Sequence, residues 1–353
     1  MAIQYRSRLP YNPGVRALMF VGPGKLEWQD VPDATVQAPG DALVRPLAVA
    51  ACDLDVALLH GHTPFSGPFP LGHEFVAEIV GVGAEVTGFR PGDRVVVPFQ
   101  ISCGVCERCR RGLTGSCRAV PPVSMYGFRP LGGDWGGALA DLVRVPYAAH
   151  MLVPLPPNVD PVVLASASDN IADGWRAVGP PLAEYPRAPI LVVGGIGSVP
   201  LYAVAVALAL GAARVDYVDS DDGRLALAAE LGATALPATS RPSRDDTYPI
   251  TVDGSGRPVG LARALRALEP EGICTSVSIY FEDVPMPLLR MYTRGTRFVT
   301  GRVNSRAVLP HVLDLVTSGR LHPERVTSAV VPWQDAPYAL RTPSLKPIVA
   351  RDR

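Results

Sequence analysis

Between residues 188 and 300 the chain alternates short β-prone runs with helical patterns, and this alternation restricts its fold more than any other feature. The runs PILVVGG, ARVDYVD, YPITVDG, GICTSVS and TRFVTG enclose helices expected over residues 199–210, 223–231 and 259–268. Strands joined through helices run parallel, with the helices covering the sheet, so an α/β unit with a parallel sheet is predicted. Its first strand leads into Gly194-Gly195-Ile196-Gly197-Ser198-Val199-Pro200. Glycines there let the backbone approach an anion, and the helix that follows points its amides at it. Gly194, Gly195, Gly197, Ser198 and Val199 are therefore candidates for holding the diphosphate of a dinucleotide. Pro200 stands where the third glycine of such a loop is usual; proline is tolerated in a first helical turn, but its ring fills space needed for close helix–strand packing.

Asp219 closes the second strand, 22 residues after Gly197, where a carboxylate can accept hydrogen bonds from the adenosine ribose. The same charge opposes a 2′-phosphate: like charges about 4 Å apart near a surface repel by roughly 4 kcal/mol before screening. NAD(H) is thus expected in preference to NADP(H), with Arg224 placed to soften the repulsion.

The first part of the chain has a different texture. From residue 15 to about 153, short β-prone runs broken by Gly and Pro predict a mostly antiparallel barrel or sandwich. Within it, Cys103, Cys106, Cys109 and Cys117 can wrap four thiolates around one ion, with Gly104, Gly112 and Gly115 letting the backbone turn. A four-sulfur shell is closed, so this lobe, about residues 100–118, is assigned a structural zinc; a disulfide or a metal-free loop is the alternative. Arg108, Arg110 and Arg111 read as a solvated face offsetting thiolate charge.

The stretch 52–74 contains a thiol (Cys52), an imidazole (His73) and an adjacent carboxylate (Glu74), a mixture suited to Zn²⁺ rather than Mg²⁺ or Ca²⁺. On these residues alone, a catalytic metal site stays open beside a core cysteine and a loop histidine.

Other properties narrow the class. At 353 residues the chain calls for two domains. Lys plus Arg equals Asp plus Glu at 33 each, so bulk charge gives no attraction to nucleic acid or anionic membrane. The longest apolar run, residues 201–211, falls short of the about 18 residues that span a bilayer. Residues 1–14 lack the apolar core of a signal peptide and read as a polar arm, so a cytoplasmic location is expected, where clustered cysteines bind metal more readily than they pair.

Taken together, Cys52, Gly72-His73-Glu74, Pro91-Gly92-Asp93-Arg94-Val95, the four-cysteine lobe, Gly136-Gly137-Ala138, Gly194 to Gly197 and Asp219 resemble the zinc-dependent medium-chain alcohol dehydrogenases, over residues 15–349. The resemblance implies a GroES-like, β-rich catalytic domain (15–160 and 305–353) split around a Rossmann domain (161–304), the chain after about Asn304 returning to the first domain through a helix and strands near VTSAVV and KPIVA. It makes Cys52 and His73 ligands of a catalytic zinc, Asp169 the third, and Glu74 a nearby carboxylate able to join the metal. It places Asp55 at a C-x-x-D position, where it is expected to hydrogen-bond the far nitrogen of His73. Two zinc ions per chain, a small alcohol or carbonyl substrate and a homodimer or homotetramer follow from the same likeness.

One position departs from the pattern. Leu54 stands where the family carries a proton-relaying Ser or Thr, so Asp53, His60 or His62 would have to substitute through water, His62 being ranked first because an imidazole titrates near neutral pH. Leu54 and Pro200 also motivate a non-catalytic, zinc- and dinucleotide-binding alternative; a zinc-free enoyl or quinone reductase is the third reading. Trp135 is open between cleft lining and loop packing, and Cys274, His150, His311 and His322 read as structural.

Overall fold

The computed structural model describes residues 15–195, 197–240 and 247–352; the N-terminal arm, 1–14, lies outside them. The predicted parallel sheet has six strands. Its order is Thr234–Pro237, Val215–Asp219, Ile190–Val193, Tyr248–Asp253, Leu268–Ser276, Arg297–Val299, and every neighbouring pair is parallel. In chain order this is 3-2-1-4-5-6, the arrangement in which the sheet reverses direction beside its first strand. Ile190–Val193 is buried at every position, as a central strand covered on both faces must be.

The helix Val199–Ala209 is apolar almost all round and buried to match. One side meets the sheet and the other the helix Asn170–Glu184, whose Gly174 lets the backbone of Ala203 come close: a Cβ there would lie 2.9 Å from its nitrogen. The Pro200 ring has a specific recess. It sits against Gly254, just past the strand Tyr248–Asp253, where any Cβ would clash with it. The space that the missing third glycine would have left is supplied from the neighbouring strand.

The β-rich part comprises a seven-stranded sheet and a three-stranded one. In the larger, Ala42–Ala50 pairs antiparallel with Glu74–Val82, with Val143–Val145 and with Pro347–Ala350. The last of these comes from the C-terminal end of the chain, so both termini of the described chain contribute to this body. The expected return helix is Ser305–Thr317, and its His311 stacks flat on Trp175 of Asn170–Glu184, ring centroids 4.5 Å apart. The core of the body is Leu18, Phe20, Phe75, Ile79, Val95 and Val96, all buried.

Several backbone crossings are tight enough to require glycine. Gly72 (φ +91°) turns the chain before His73, and a Cβ on it would lie 2.8 Å from the nitrogen of Leu139. A Cβ on Gly137 would clash with the Leu71 carbonyl oxygen. Neither neighbour is a flexible side-chain end, so Gly137→Ala should lower stability by about 1–3 kcal/mol, read from the midpoint of chemical denaturation with zinc content unchanged.

Candidate active site and metal centres

Register builds the first centre. Ala50 pairs with Glu74 on one side and with Ile348 on the other, so Cys52, Glu74 and Lys346 meet at one end of three adjacent interior strands. Cys52 then caps the helix Asp53–Leu59, its backbone N–H donating to Asp55 Oδ2 at 3.0 Å. Asp169 precedes the helix Asn170–Glu184 without capping it, leaving its carboxylate for the cluster. Cys52 Sγ lies 3.3 Å and His73 Nε2 3.2 Å from Asp169 Oδ2. One donor atom from each of Cys52, His73, Glu74 and Asp169 falls within 4.8 Å of the others. Three of the four residues are buried, and Asp169 alone is partly open. The ring of Phe99 stands 5.7 Å from that of His73, and the Arg302 guanidinium lies over the same Phe99 ring, 5.6 Å from its centroid.

Electrostatics favours a cation here. Burial works against a charged His73, yet Asp55, Asp169 and Glu74 together lift it to about 9. Burial, Asp169 and Glu74 push the Cys52 thiol well up. Burial raises Asp55 as well, against the pull of His73. Burial thus pushes Cys52, Asp55 and Glu74 toward their neutral forms, while the protonated His73 holds Asp169 ionised. A divalent ion would resolve that conflict, and the thiolate–imidazole–carboxylate set suits zinc.

Asp55 Oδ1 faces His73 Nδ1 at 3.9 Å, and both atoms are buried without a hydrogen-bond partner. At this distance the expected bond is not made. Asp55 still occupies the orienting side of the ring, while Nε2 points to the cluster.

Lys346 is the member that sequence reasoning missed. Its ammonium is fully buried, donating to Glu74 Oε1 at 2.8 Å and to the Ala51 carbonyl at 2.7 Å. Burial pushes Glu74 up and Lys346 pulls it down; the two donor contacts keep the proton on the lysine. Asn170 completes the set: with its amide nitrogen turned to the acids it donates to Glu74 Oε1 and Asp169 Oδ2, both at 3.2 Å, its oxygen accepts from Lys346, and that oxygen lies 2.9 Å from the Ser198 hydroxyl, whose proton goes to Asp53. Only the lone Lys within KPIVA carried this signal, and its strand register was needed to see it.

The second centre is the cysteine lobe. Cys103, Cys106, Cys109 and Cys117 bring four sulfurs within 4.8 Å of one another, and none is in a disulfide. Gly104 and Gly112 adopt φ of +77° and +76°. Backbone N–H groups of Cys103, Cys106 and Ala119 donate to the sulfurs at 3.4 Å, as suits ligand thiolates. Asn304 Oδ1 accepts from Gly115 N–H at 2.9 Å, tying the lobe to the start of the return helix.

The glycine loop holds a surprise in what fills it. Gly194 and Gly195 are required by the protein's own packing: a Cβ would clash with Tyr217 and Asp219 at the first and with the Ser255 backbone at the second. Gly197 (φ +108°) does border an anion cradle at the start of Val199–Ala209, and the Asp53 carboxylate lies in it. Asp53 accepts from Ser198 N–H at 2.8 Å, from Ser198 Oγ at 3.1 Å and from Val199 N–H at 3.2 Å.

Asp219 is also engaged. It accepts from Arg224 Nε and Nη2 at 2.8 Å each, from Tyr217 Oη at 2.7 Å and from the N–H groups of Ser220 and Asp221. Five donors saturate a carboxylate with about four lone-pair positions. Arg224, expected to soften the Asp219 charge, pairs with it directly.

His62 is exposed and stacks on His60, centroids 5.9 Å apart, and among the described residues no hydrogen bond or ion pair links it to Cys52, His73 or Asp169. Trp135 donates to the Gly132 carbonyl at 2.9 Å, packing its own loop. Cys274 is buried in its strand.

Removing one partner of the buried Lys346–Glu74 pair strands the other charge, which typically destabilises by about 3–5 kcal/mol. Lys346→Met should show a loss of that size in urea unfolding, larger than that of Lys346→Arg.

Comparison with known proteins agrees with this architecture. Residues 38–157 match the alcohol dehydrogenase GroES-like domain, and residues 196–318 match the zinc-binding dehydrogenase domain. The chain is 30% identical over 329 residues to zinc-type alcohol dehydrogenase B of Aspergillus flavus, covering 89% of this chain and 75% of that protein. It is 33% identical over 286 residues to a medium chain reductase/dehydrogenase of Acremonium, covering 77% and 96%. The structure of the alcohol dehydrogenase TADH from Thermus sp. ATN1 superposes with a TM-score of 0.87 at 32% identity, covering 96% of this chain and all of that one. With its GroES-like and Rossmann parts, its two ligand clusters and these relatives, the chain belongs to the zinc-dependent medium-chain dehydrogenase/reductase family.

Proposed function

We propose that this protein is an NAD(H)-linked, zinc-dependent oxidoreductase acting on an alcohol or polyol, or on the matching aldehyde or ketone. The observation that carries the reading is the convergence of Cys52, His73 and Asp169 on one partly open point. Zinc bound there would polarise the substrate oxygen, while a nicotinamide takes or gives the hydride. The chain's own residues hold this point in place. Asp55 faces the outer nitrogen of His73, Lys346 and Asn170 restrain Glu74, and the Phe99 ring packs beside His73. The four-cysteine lobe is read as a second, structural zinc.

NAD(H) remains the favoured cofactor on new grounds. Two of the five Arg224 N–H donors are committed to Asp219, so the guanidinium charge is already offset there and offers a 2′-phosphate less than an unpaired arginine would. Leu54, partly buried among apolar neighbours, leaves the proton route without a hydroxyl at that position. The non-catalytic alternative shares the metal and the cofactor and parts from this reading over turnover.

An exposed apolar face accompanies the open sheet edge. Arg297–Val299 has one strand neighbour, and beside it Leu289 and Tyr292 of the helix Leu288–Arg294 are 79% and 86% exposed. This supports a homodimer that pairs the edge strands. Leu289→Arg combined with Tyr292→Glu should shift the mass measured by light scattering to that of one chain.

Wild type should hold two zinc ions per chain, and Cys52→Ser and Asp169→Asn one each, with NADH consumption reduced by at least a hundredfold against a panel of alcohols and aldehydes. Cys106→Ser should also lose one zinc, but with a marked loss of thermal stability. One zinc in the wild type, unchanged in Asp169→Asn, would sink the catalytic-zinc reading. Two zinc ions with bound NADH and no turnover would favour the non-catalytic one.

A further inference from the structure

The Asp53 carboxylate is an internal occupant of the place where a dinucleotide's diphosphate is expected to lie. Asp53 opens the helix Asp53–Leu59 in the β-rich body, whereas Ser198 and Val199 open the first helix of the parallel-sheet body. Its two oxygens take both leading amides and the Ser198 hydroxyl. A helix N-terminus favours negative charge because its first amides have no intrahelical partners. Here that favour is already used by the protein itself, and it latches one body to the other.

Among the described residues, no cation is hydrogen-bonded to the Asp53 carboxylate. Lys346 is the basic group that acts on Asp53, and its ammonium is committed to Glu74 and Ala51. Ser198, besides donating to Asp53, is the contact of Asn170, so the cradle joins the metal-ligand cluster through two side chains. A diphosphate entering beside Gly197 would meet a carboxylate at hydrogen-bonding range of the same amides. Two like charges cannot share those donors, so one must leave.

We infer that Asp53 sets the affinity for the cofactor: dinucleotide binding requires its carboxylate to leave the Ser198–Val199 amides, and the residue holds the cofactor's diphosphate affinity down. This rests on the dinucleotide reading above. The same displacement would release the contact between the two bodies at that point, so binding and unlatching are one event.

The test is calorimetric titration of zinc-loaded wild type, Asp53→Asn and Asp53→Ala with NADH, ADP-ribose and adenosine, with zinc per chain measured on each sample. Both variants should bind NADH and ADP-ribose at least tenfold more tightly than wild type, about 1.4 kcal/mol. Adenosine, which lacks the diphosphate, should bind all three proteins alike. In wild type, ADP-ribose should exceed adenosine by less than tenfold, a comparison that needs no variant to fold. Equal or weaker NADH binding in the variants, or ADP-ribose preferred a hundredfold in wild type, would overturn the inference and leave the dinucleotide reading standing. No binding of NADH or ADP-ribose to any of the three would overturn both.

Discussion

The Lys346–Glu74 pair is the contact on which the site depends. An ammonium and a carboxylate with no solvent exposure are tolerated only when each finds further partners, and here the Ala51 carbonyl and Asn170 supply them. The pair joins the C-terminal strand Pro347–Ala350 to Glu74–Val82 across Ala42–Ala50. It therefore fixes how the last part of the chain meets the first, and the spot where Cys52 and His73 face Asp169 is a by-product of that closure.

The ligand cluster and the cofactor loop are continuous with this pair. Lys346 touches Glu74, Asn170 touches Glu74, Asp169 and Ser198, and Ser198 touches Asp53. Contiguous polar contacts thus run from the candidate ligand cluster to the start of the helix Val199–Ala209.

Much of the fold was legible because it rests on periodicity and on glycines. The alternation after residue 188 predicts the parallel sheet, and its helices fall within a few residues of their expected ends; the one expected over 259–268 stops at Arg266 because Leu268 already begins a strand. The four-cysteine spacing stood out in the same way, whereas Cys52 and His73 alone left a metal site open, and the fold brings Asp169 to them. What escaped depended on register or on distant partners. Lys346 looks like an ordinary lysine until Ile348 is set beside Ala50, and Asp53 looks like a helix-starting acid until Ser198 is brought to it. Pro200 seemed to crowd a strand, and Gly254, more than fifty residues later, removes the crowding. His62 was chosen for its intrinsic titration alone, and proximity, which intrinsic chemistry cannot supply, put it on the surface with His60.

The Asp219–Arg224 pair carries an implication for how this chain could change. Tyr217, Arg224 and two backbone amides all end on one carboxylate. Replacing Asp219 alone would orphan a buried phenol and a guanidinium at once, and replacing Arg224 alone would leave an unneutralised acid. Neither single step is neutral, so the residues at the end of the second strand form an epistatic unit. Change at this strand end would have to pass through coordinated substitutions, a barrier to gradual change that an aspartate standing alone would not impose.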